Sequence, residues 1–325
     1  PMKNKTKMTR AITKKNIAPG DDCQKCCCCE CEQSLSGPKG EDRVRYCRTQ
    51  TAWPSWTKMR MVKIEKVREE FPGNKTFFMD EEICFGPGQF AMVWLPGFDE
   101  KPIALVPWGK KYCLNIEGKG NATKKMLDLK AWEKLGVRGP YGRGFSYGGK
   151  IKKAAIVAGG IGIDSIILLA QLLHENKCKT KIILGGRTKE RIIFGDELKK
   201  FGEVTVTTDD GSYGEKGYNV QALERMLAKE KFGIIYACGP EAMMVKAFGL
   251  AKKHGCGFEC SVERYMKCGI GICGECVVND KLACIDGPVF SREELEKMGE
   301  FGEIAYLKSG KRVGLKEYCE WRSES

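Results

Sequence analysis

From Val62 to about Gly149 the chain alternates short apolar runs with turn signals (Pro-Gly, Gly-Pro-Gly and Asn-Gly-like), spaced as in a small antiparallel barrel. Gln89-Phe-Ala-Met-Val-Trp-Leu95 and Lys111-Tyr-Cys-Leu-Asn-Ile116 read as two of its strands. The regime changes at Ala154. Apolar strands expected over 154–158, 181–184, 203–207 and 234–237 alternate with helices expected over 164–176, 190–201, 220–231 and 241–254. Strand–helix alternation predicts a parallel sheet with helices on both faces. The expected fold is therefore multidomain, β plus α/β: an antiparallel barrel over 59–150, a doubly wound nucleotide unit over 151–257 and a small C-terminal module with its tail over 258–325.

Residues 1–58 follow no such pattern. They mix Lys, Thr, Asn, Pro and Gly, and Cys23, Cys26, Cys27, Cys28, Cys29 and Cys31 stand almost in a row. A soft metal is one reading of that run, but four adjacent thiols cannot all face one ion without a costly backbone. The other reading is a disordered extension, or in-frame sequence upstream of the natural start.

Composition narrows the function classes. At 325 residues with 42% apolar content, two or three ordinary cores are expected. The longest apolar stretches, 154–163 and 166–173, are broken by glycine or an acid and fall short of a bilayer, so no membrane span and a cytoplasmic chain are expected. The net charge of +13 is uneven, since residues 1–58 alone carry 12 Lys or Arg against 6 Asp or Glu. No basic stripe interleaved with aromatics follows, and a nucleic-acid partner is not expected. Only His174 and His254 are histidines, which leaves little room for histidine acid–base chemistry; 18 cysteines point instead to metal or redox roles.

Four of those cysteines carry the strongest signal. Cys268-Gly-Ile-Gly-Ile-Cys273-Gly-Glu-Cys276 with a fourth at Cys284 has the C-x4-C-x2-C spacing with which plant-type [2Fe–2S] proteins hold two irons on four thiolates. Gly269, Gly271 and Gly274 free the backbone to fold closely around them. A structural zinc is the alternative, although zinc ribbons set short knuckles across a longer gap.

Ala158-Gly159-Gly160-Ile161-Gly162-Ile163-Asp164-Ser165 leads from a buried strand into a long helix, where dinucleotide folds admit a pyrophosphate to exposed N–H groups. It lacks a complete G-x-G-x-x-G, and a tight turn would need glycine anyway. A later strand ending at Cys238-Gly239-Pro240 also runs into a helix, which would bring a second loop to the same sheet edge.

In this order, the barrel, the Gly-Gly-Ile-Gly unit, the Cys-Gly-Pro loop and the cysteine motif with Cys284-Ile-Asp-Gly-Pro-Val-Phe290 resemble the electron-transfer subunits of dihydroorotate dehydrogenase B, in the ferredoxin–NADP reductase superfamily. The resemblance runs from about Met61 to Phe290 and is most specific from Glu263 onward. Arg138-Gly-Pro-Tyr-Gly-Arg-Gly-Phe145 and Gly186-Arg-Thr-Lys-Glu190 support it. It implies an FAD-binding barrel, a nucleotide domain receiving NAD(H) at Gly159, Gly160, Gly162, Gly239 and Pro240, and a [2Fe–2S] module on Cys268, Cys273, Cys276 and Cys284. The family's Arg-Pro-x-Ser flavin motif corresponds to Lys101-Pro102-Ile103-Ala104, which keeps a cation but loses the hydroxyl. The Gly-x-x-Thr contact corresponds to Gly120, Ala122 and Thr123 around Asn121, a stretch that also reads as a plain hairpin turn. Asp164 stands where many relatives have proline. Cys238 would lie near the nicotinamide, or else is a small buried residue closing a strand.

Nothing in the chain would bind a pyrimidine, so the resemblance implies a catalytic subunit carrying FMN as partner, docking on a patch of Val262, Tyr265, Met266, Ile270 and Ile272. Sister redox subunits of the sulfide dehydrogenase or NADH-dependent ferredoxin:NADP reductase type share the layout, and Arg187 leaves NAD against NADP open. A zinc-binding scaffold is the distant alternative.

Overall fold

The computed structural model describes residues 58–148 and 151–324; the cysteine run at 23–31, and the expectation attached to it, lies outside them. β1 (Arg60–Phe71), β2 (Asn74–Glu82), β3 (Phe90–Trp94), β4 (Lys101–Ala104), β5 (Val106–Trp108), β6 (Lys111–Glu117) and β7 (Lys134–Tyr141) form an antiparallel sheet in the order β4-β3-β7-β1-β2-β6-β5. Strand β4 at one end also approaches β6 at the other, so the sheet curls into a barrel. Alternate residues fill it: Val62 and Ile64, Phe77 and Met79, Ala91 and Val93, Leu114 and Ile116, Leu135 and Val137. This period of two is what made the strands readable. The short helix α1 (Asn121–Met126) connects β6 to β7.

The second sheet has the order β11-β10-β9-β8-β12-β13-β16. Its strands are β8 (Lys153–Gly159), β9 (Lys179–Gly186), β10 (Glu203–Thr208), β11 (Glu215–Lys216), β12 (Ile234–Cys238) and β13 (Gly257–Ser261), all parallel, with β16 (Val289–Ser291) antiparallel at the edge. Helices α2 (Ile163–Glu175) and α3 (Gly195–Leu198) cover one face, and α4 (Asn219–Lys229), α5 (Glu241–His254) and α6 (Arg292–Leu295) the other. On β8, Ala154, Ile156 and Ala158 point toward α2 while Ala155 and Val157 point toward α4 and α5, so the sheet is doubly wound. Burial of both faces explains the continuous apolar runs. Strands β13 and β16 carry this sheet past residue 257.

The helix expected over 190–201 does not form. A single 3-10 turn (Lys189–Arg191) and the four-residue α3 replace it, because Phe194 adopts a left-handed backbone at φ +55° and buries its ring beside Ile193 and Leu198. The loss of a few helical hydrogen bonds is offset by that burial, a case of tertiary packing overriding local propensity.

Short hairpins complete the chain. β14 (Val277–Val278) pairs with β15 (Lys281–Leu282) inside the cysteine segment, and β17 (Ile304–Tyr306) pairs with β18 (Arg312–Gly314) under α7 (Leu315–Glu324). The tail thus packs around Ala305, Val313 and Tyr318, and Trp321 meets Tyr265 edge-on at 5.8 Å. The segment after β7 ties barrel to sheet: Arg143 donates to the Val289 carbonyl and pairs with Glu294, Ser146 donates to Glu259, and Tyr236 donates its hydroxyl to the Ser146 carbonyl at 2.6 Å. No helix among the described residues is long and apolar enough to cross a membrane.

Candidate redox site

The cysteine loop is built by glycine and by its own amides. Gly269, Gly271 and Gly274 all take positive φ, near +70°, where a side chain would strain the turn. That curl aims N–H groups inward: Ile270, Ile272 and Cys273 donate to Cys268 Sγ at 3.4–3.5 Å, Gly271 donates to Cys284 Sγ at 3.2 Å, and Cys284 donates to Cys276 Sγ at 3.4 Å. The sulfurs come in two hydrogen-bonded pairs, Cys268 with Cys273 and Cys276 with Cys284. Among the described residues no three Cys, His, Asp or Glu converge as one ion would need.

The surroundings act unequally on three of these sulfurs. The Cys284 partner, against burial, brings Cys276 down to about 7, while the same pairing and burial push Cys284 up. Burial acts against Cys268 too, but the Ile270 and Cys273 amides, with the Cys273 side chain, carry it below its ordinary value. A donor set of four thiols under inward-pointing amides, divided two and two, suits a two-iron group better than a single tetrahedral ion.

The loop rests on the outside of the barrel. Phe90 and Met92 from β3 and Tyr141 from β7 pack with Met266, Cys276, Ala283 and Cys284 in one buried cluster. A methyl group at Gly269 would stand 2.7 Å from Met92 Cγ, so the Gly269 backbone lies directly on the Met92 side chain. Pro102, Met92 and Arg138 are direct neighbours across β4, β3 and β7, which puts β4 about 5 Å from β3 and roughly 10 Å from β7, the two strands that touch the loop. Lys101, Pro102, Ile103 and Ala104 form that edge strand, and each is half-buried. Strand periodicity did not mark this face: Met92 read as one residue of a strand, and Arg138 entered only within the 138–145 phrase that supports the resemblance.

Gly120, Ala122 and Thr123 open α1 rather than a hairpin. Thr123 Oγ1 accepts from the Lys119 and Gly120 amides at 3.0 and 3.1 Å, so its hydroxyl shapes the turn. Gly159 ends β8 and Gly160 and Gly162 lead on to α2, against Cys238 at the end of β12 and Gly239 and Pro240 before α5. A methyl group at Gly239 would stand 2.9 Å from the Gly159 amide nitrogen. Cys238 is buried at the end of β12; burial, then the nearby Glu263, push its thiol up to about 12, against hydrogen bonds with Ser165 and Ser261. It is therefore a neutral thiol near neutral pH. Asp164 is buried with Oδ1 lacking a partner, and burial, then Glu70 and Glu117 of the barrel, hold its carboxyl well above the usual range. Arg187 is exposed after β9.

The expected docking patch needs correction. Val262 and Met266 are buried, in the α5-side core and the loop–barrel cluster, while Ile272 and Ile285 are 72% and 46% exposed beside exposed Cys273. An apolar residue near the loop reads as surface until the alternating burial along β13 and its extension is seen.

A curled barrel, a doubly wound nucleotide sheet and a four-cysteine loop docked between modules define a ferredoxin-reductase-like redox protein. The solved NADH-dependent reduced ferredoxin-NADP oxidoreductase is similar, with TM-score 0.64 and 27% identity, covering 72% of this chain and 89% of that one. The ferredoxin reductase in carbazole 1,9a-dioxygenase shares the fold at TM-score 0.53 and 19% identity, over 61% of this chain and 66% of that one. The family described as the iron-sulfur cluster binding domain of dihydroorotate dehydrogenase B matches residues 263–296, and the oxidoreductase NAD-binding domain matches 156–247. Two archaeal proteins named "Probable dihydroorotate dehydrogenase B (NAD(+)), electron transfer subunit" are more similar still. That of Methanocaldococcus jannaschii is 43% identical over 77% of this chain and 96% of its own length, and that of Pyrococcus furiosus 42% over 78% and 98%. The chain belongs to this family of dihydroorotate dehydrogenase B electron transfer subunits, redox subunits that serve a catalytic partner.

Proposed function

We propose that this chain carries electrons from an FMN-bearing dihydroorotate dehydrogenase catalytic subunit to NAD+ in cytoplasmic pyrimidine (UMP) synthesis. Cys268, Cys273, Cys276 and Cys284 would hold a [2Fe–2S] cluster, Lys101, Pro102, Ile103 and Ala104 on β4 with Gly120, Ala122 and Thr123 at the start of α1 would hold FAD, and Gly159, Gly160, Gly162, Gly239 and Pro240 beside Cys238 would receive NAD(H). The three modules are a barrel over about 59–150, a nucleotide domain from 151 whose sheet also takes in β13 and β16, and the cysteine loop with the tail that follows. Nicotinamide exchanges hydride, the cluster single electrons and flavin both, so the set couples a one-electron source to NAD.

The observation that carries the reading is the docking of the cysteine loop on β3, the neighbour of β4, and on β7 beyond it. The chain's residues keep the route short and dry: Met92, Phe90 and Tyr141 exclude water beneath the loop, and the inward amides hold the sulfurs as acceptors. Ile272 and Ile285, exposed beside Cys273, form the apolar spot on which the catalytic subunit would sit.

Cys273→Ser tests the relay. NADH should still reduce the flavin, while dihydroorotate-dependent NAD+ reduction with the FMN subunit should be lost; full turnover in this variant would contradict the route.

A further inference from the structure

Arg138 ties the barrel to the cysteine loop through a side chain only 11% exposed. Its Nη2 donates to the Cys268 carbonyl at 2.7 Å, its Nη1 to Tyr141 Oη at 3.1 Å and its Nε to Glu100 at 2.8 Å. The guanidinium also stacks over the Tyr141 ring, 5.3 Å from its centroid. Arginine offers five donors in a rigid plane and keeps its charge at any physiological pH, so the contact is both a geometric clamp and a fixed cation.

Two further features place that cation at the point where loop and barrel meet. Cys268 is followed by Gly269, whose backbone lies on Met92, and Arg138 is the cross-strand neighbour of Met92 on the same face. Glu100, which precedes β4, is the counter-charge, and its side chain is 26% exposed. Cation, carboxylate and cysteine backbone therefore form a short series beginning next to the edge strand.

We propose that Arg138 is a positioning residue for the iron–sulfur group: it fixes the Cys268 end of the loop on the barrel, and its charge favours the reduced form while Glu100 moderates it. The inference rests on the four cysteines being the cluster ligands. Reduction adds one negative charge close to Cys268, and a cation screened little by solvent stabilises that charge. Removing the cation and removing the carboxylate should then act in opposite directions. A tie that merely held the loop would give no such opposition.

The experiment is an anaerobic redox titration of the holoprotein, followed by electron paramagnetic resonance, with iron content measured for each sample. In Arg138→Met the reduced-to-oxidised ratio at a given potential should fall about tenfold, about 59 mV for a one-electron couple. Arg138→Lys should recover part of the shift, and Glu100→Gln should move the potential upward. Should Arg138→Met not accumulate, Glu100→Gln decides alone, since it leaves the Cys268 hydrogen bond in place. Iron-loaded variants with unmoved potentials, or shifts of the same sign in Arg138→Met and Glu100→Gln, overturn the inference. Absence of iron from the unaltered protein overturns the ligand assignment beneath it, and this inference with it.

Discussion

The α-carbon of Gly162 lies so close to Cys238 that a methyl group added to it would stand 2.5 Å from the Cys238 carbonyl oxygen. Strands β8 and β12 are parallel neighbours with Ala158 opposite Cys238, so the loops that follow them leave the sheet side by side, with the Gly162 backbone against that of Cys238 and Gly239. Gly162→Ala must push them apart. Flavin reduction by NADH should slow, by up to about 10²-fold if the displacement reaches an ångström, with bound flavin unchanged. Stopped-flow absorbance of the flavin under NADH reads this directly, and a rate equal to that of the unaltered protein would show that the loop contact does not set the nucleotide's place.

Strand β4 carries Ala104 where the family's flavin motif has a hydroxyl, opposite Phe90 in the ladder. Ala104→Ser adds one donor on a half-buried edge, and one net hydrogen bond of about 0.5–1.5 kcal/mol corresponds to roughly 2–10-fold tighter FAD. Fluorescence titration of flavin-depleted protein with FAD measures it. Unchanged affinity would move the flavin contact off this position.

Much of this fold was legible in the sequence because the signals are local. Val62 and Ile64, or Ala91 and Val93, announce an inward face at a period of two, and the run at 154–158 announces a strand buried on both sides. The cysteine spacing was legible for the same reason, since the glycines that curl it lie between the ligand candidates. What failed depended on distant partners. Phe194 breaks the helix expected over 190–201 to reach a core that only the assembled sheet creates. Alternation shows that Met92 and Arg138 point out of the barrel, but not that a segment some 130 residues later covers them. Likewise, Val289 pairs with Ser261 across the whole cysteine loop, which extends the nucleotide sheet beyond where its strand–helix rhythm stops.

Glu241, the first residue of α5 after Pro240, holds Arg264 through both carboxylate oxygens, at 2.5 and 3.0 Å, and accepts the Gly302 amide at 2.7 Å. The side chains are 7% and 1% exposed. Glu241→Ala would leave a buried guanidinium without its counter-charge, at about 3–5 kcal/mol. Urea unfolding should show that loss, and a joint Glu241→Leu, Arg264→Met replacement should lose less than the single change.

Asp164 gives a pH dependence of definite sign. With its folded carboxyl held up by burial and by Glu70 and Glu117, the folded chain keeps a proton that the unfolded chain releases above about pH 4. Ionisation thus favours unfolding as pH rises from there toward the folded value. Asp164→Asn, which does not ionise, should melt higher than the unaltered protein at pH 7, and the advantage should vanish below about pH 4. A lower melting temperature at pH 7 would mean that the carboxylate is charged and paired.

On the proposed function, the loop of Cys268, Cys273, Cys276 and Cys284, seated on β3 and β7, binds two irons next to a flavin-bearing strand. Metal and flavin analysis of anaerobically purified protein, with its absorption spectrum, tests it most directly. About two irons and two labile sulfides per chain, one FAD, and yellow flavin bands over a broad reddish absorption are expected. A colourless protein holding zinc, or neither iron nor flavin, would contradict it.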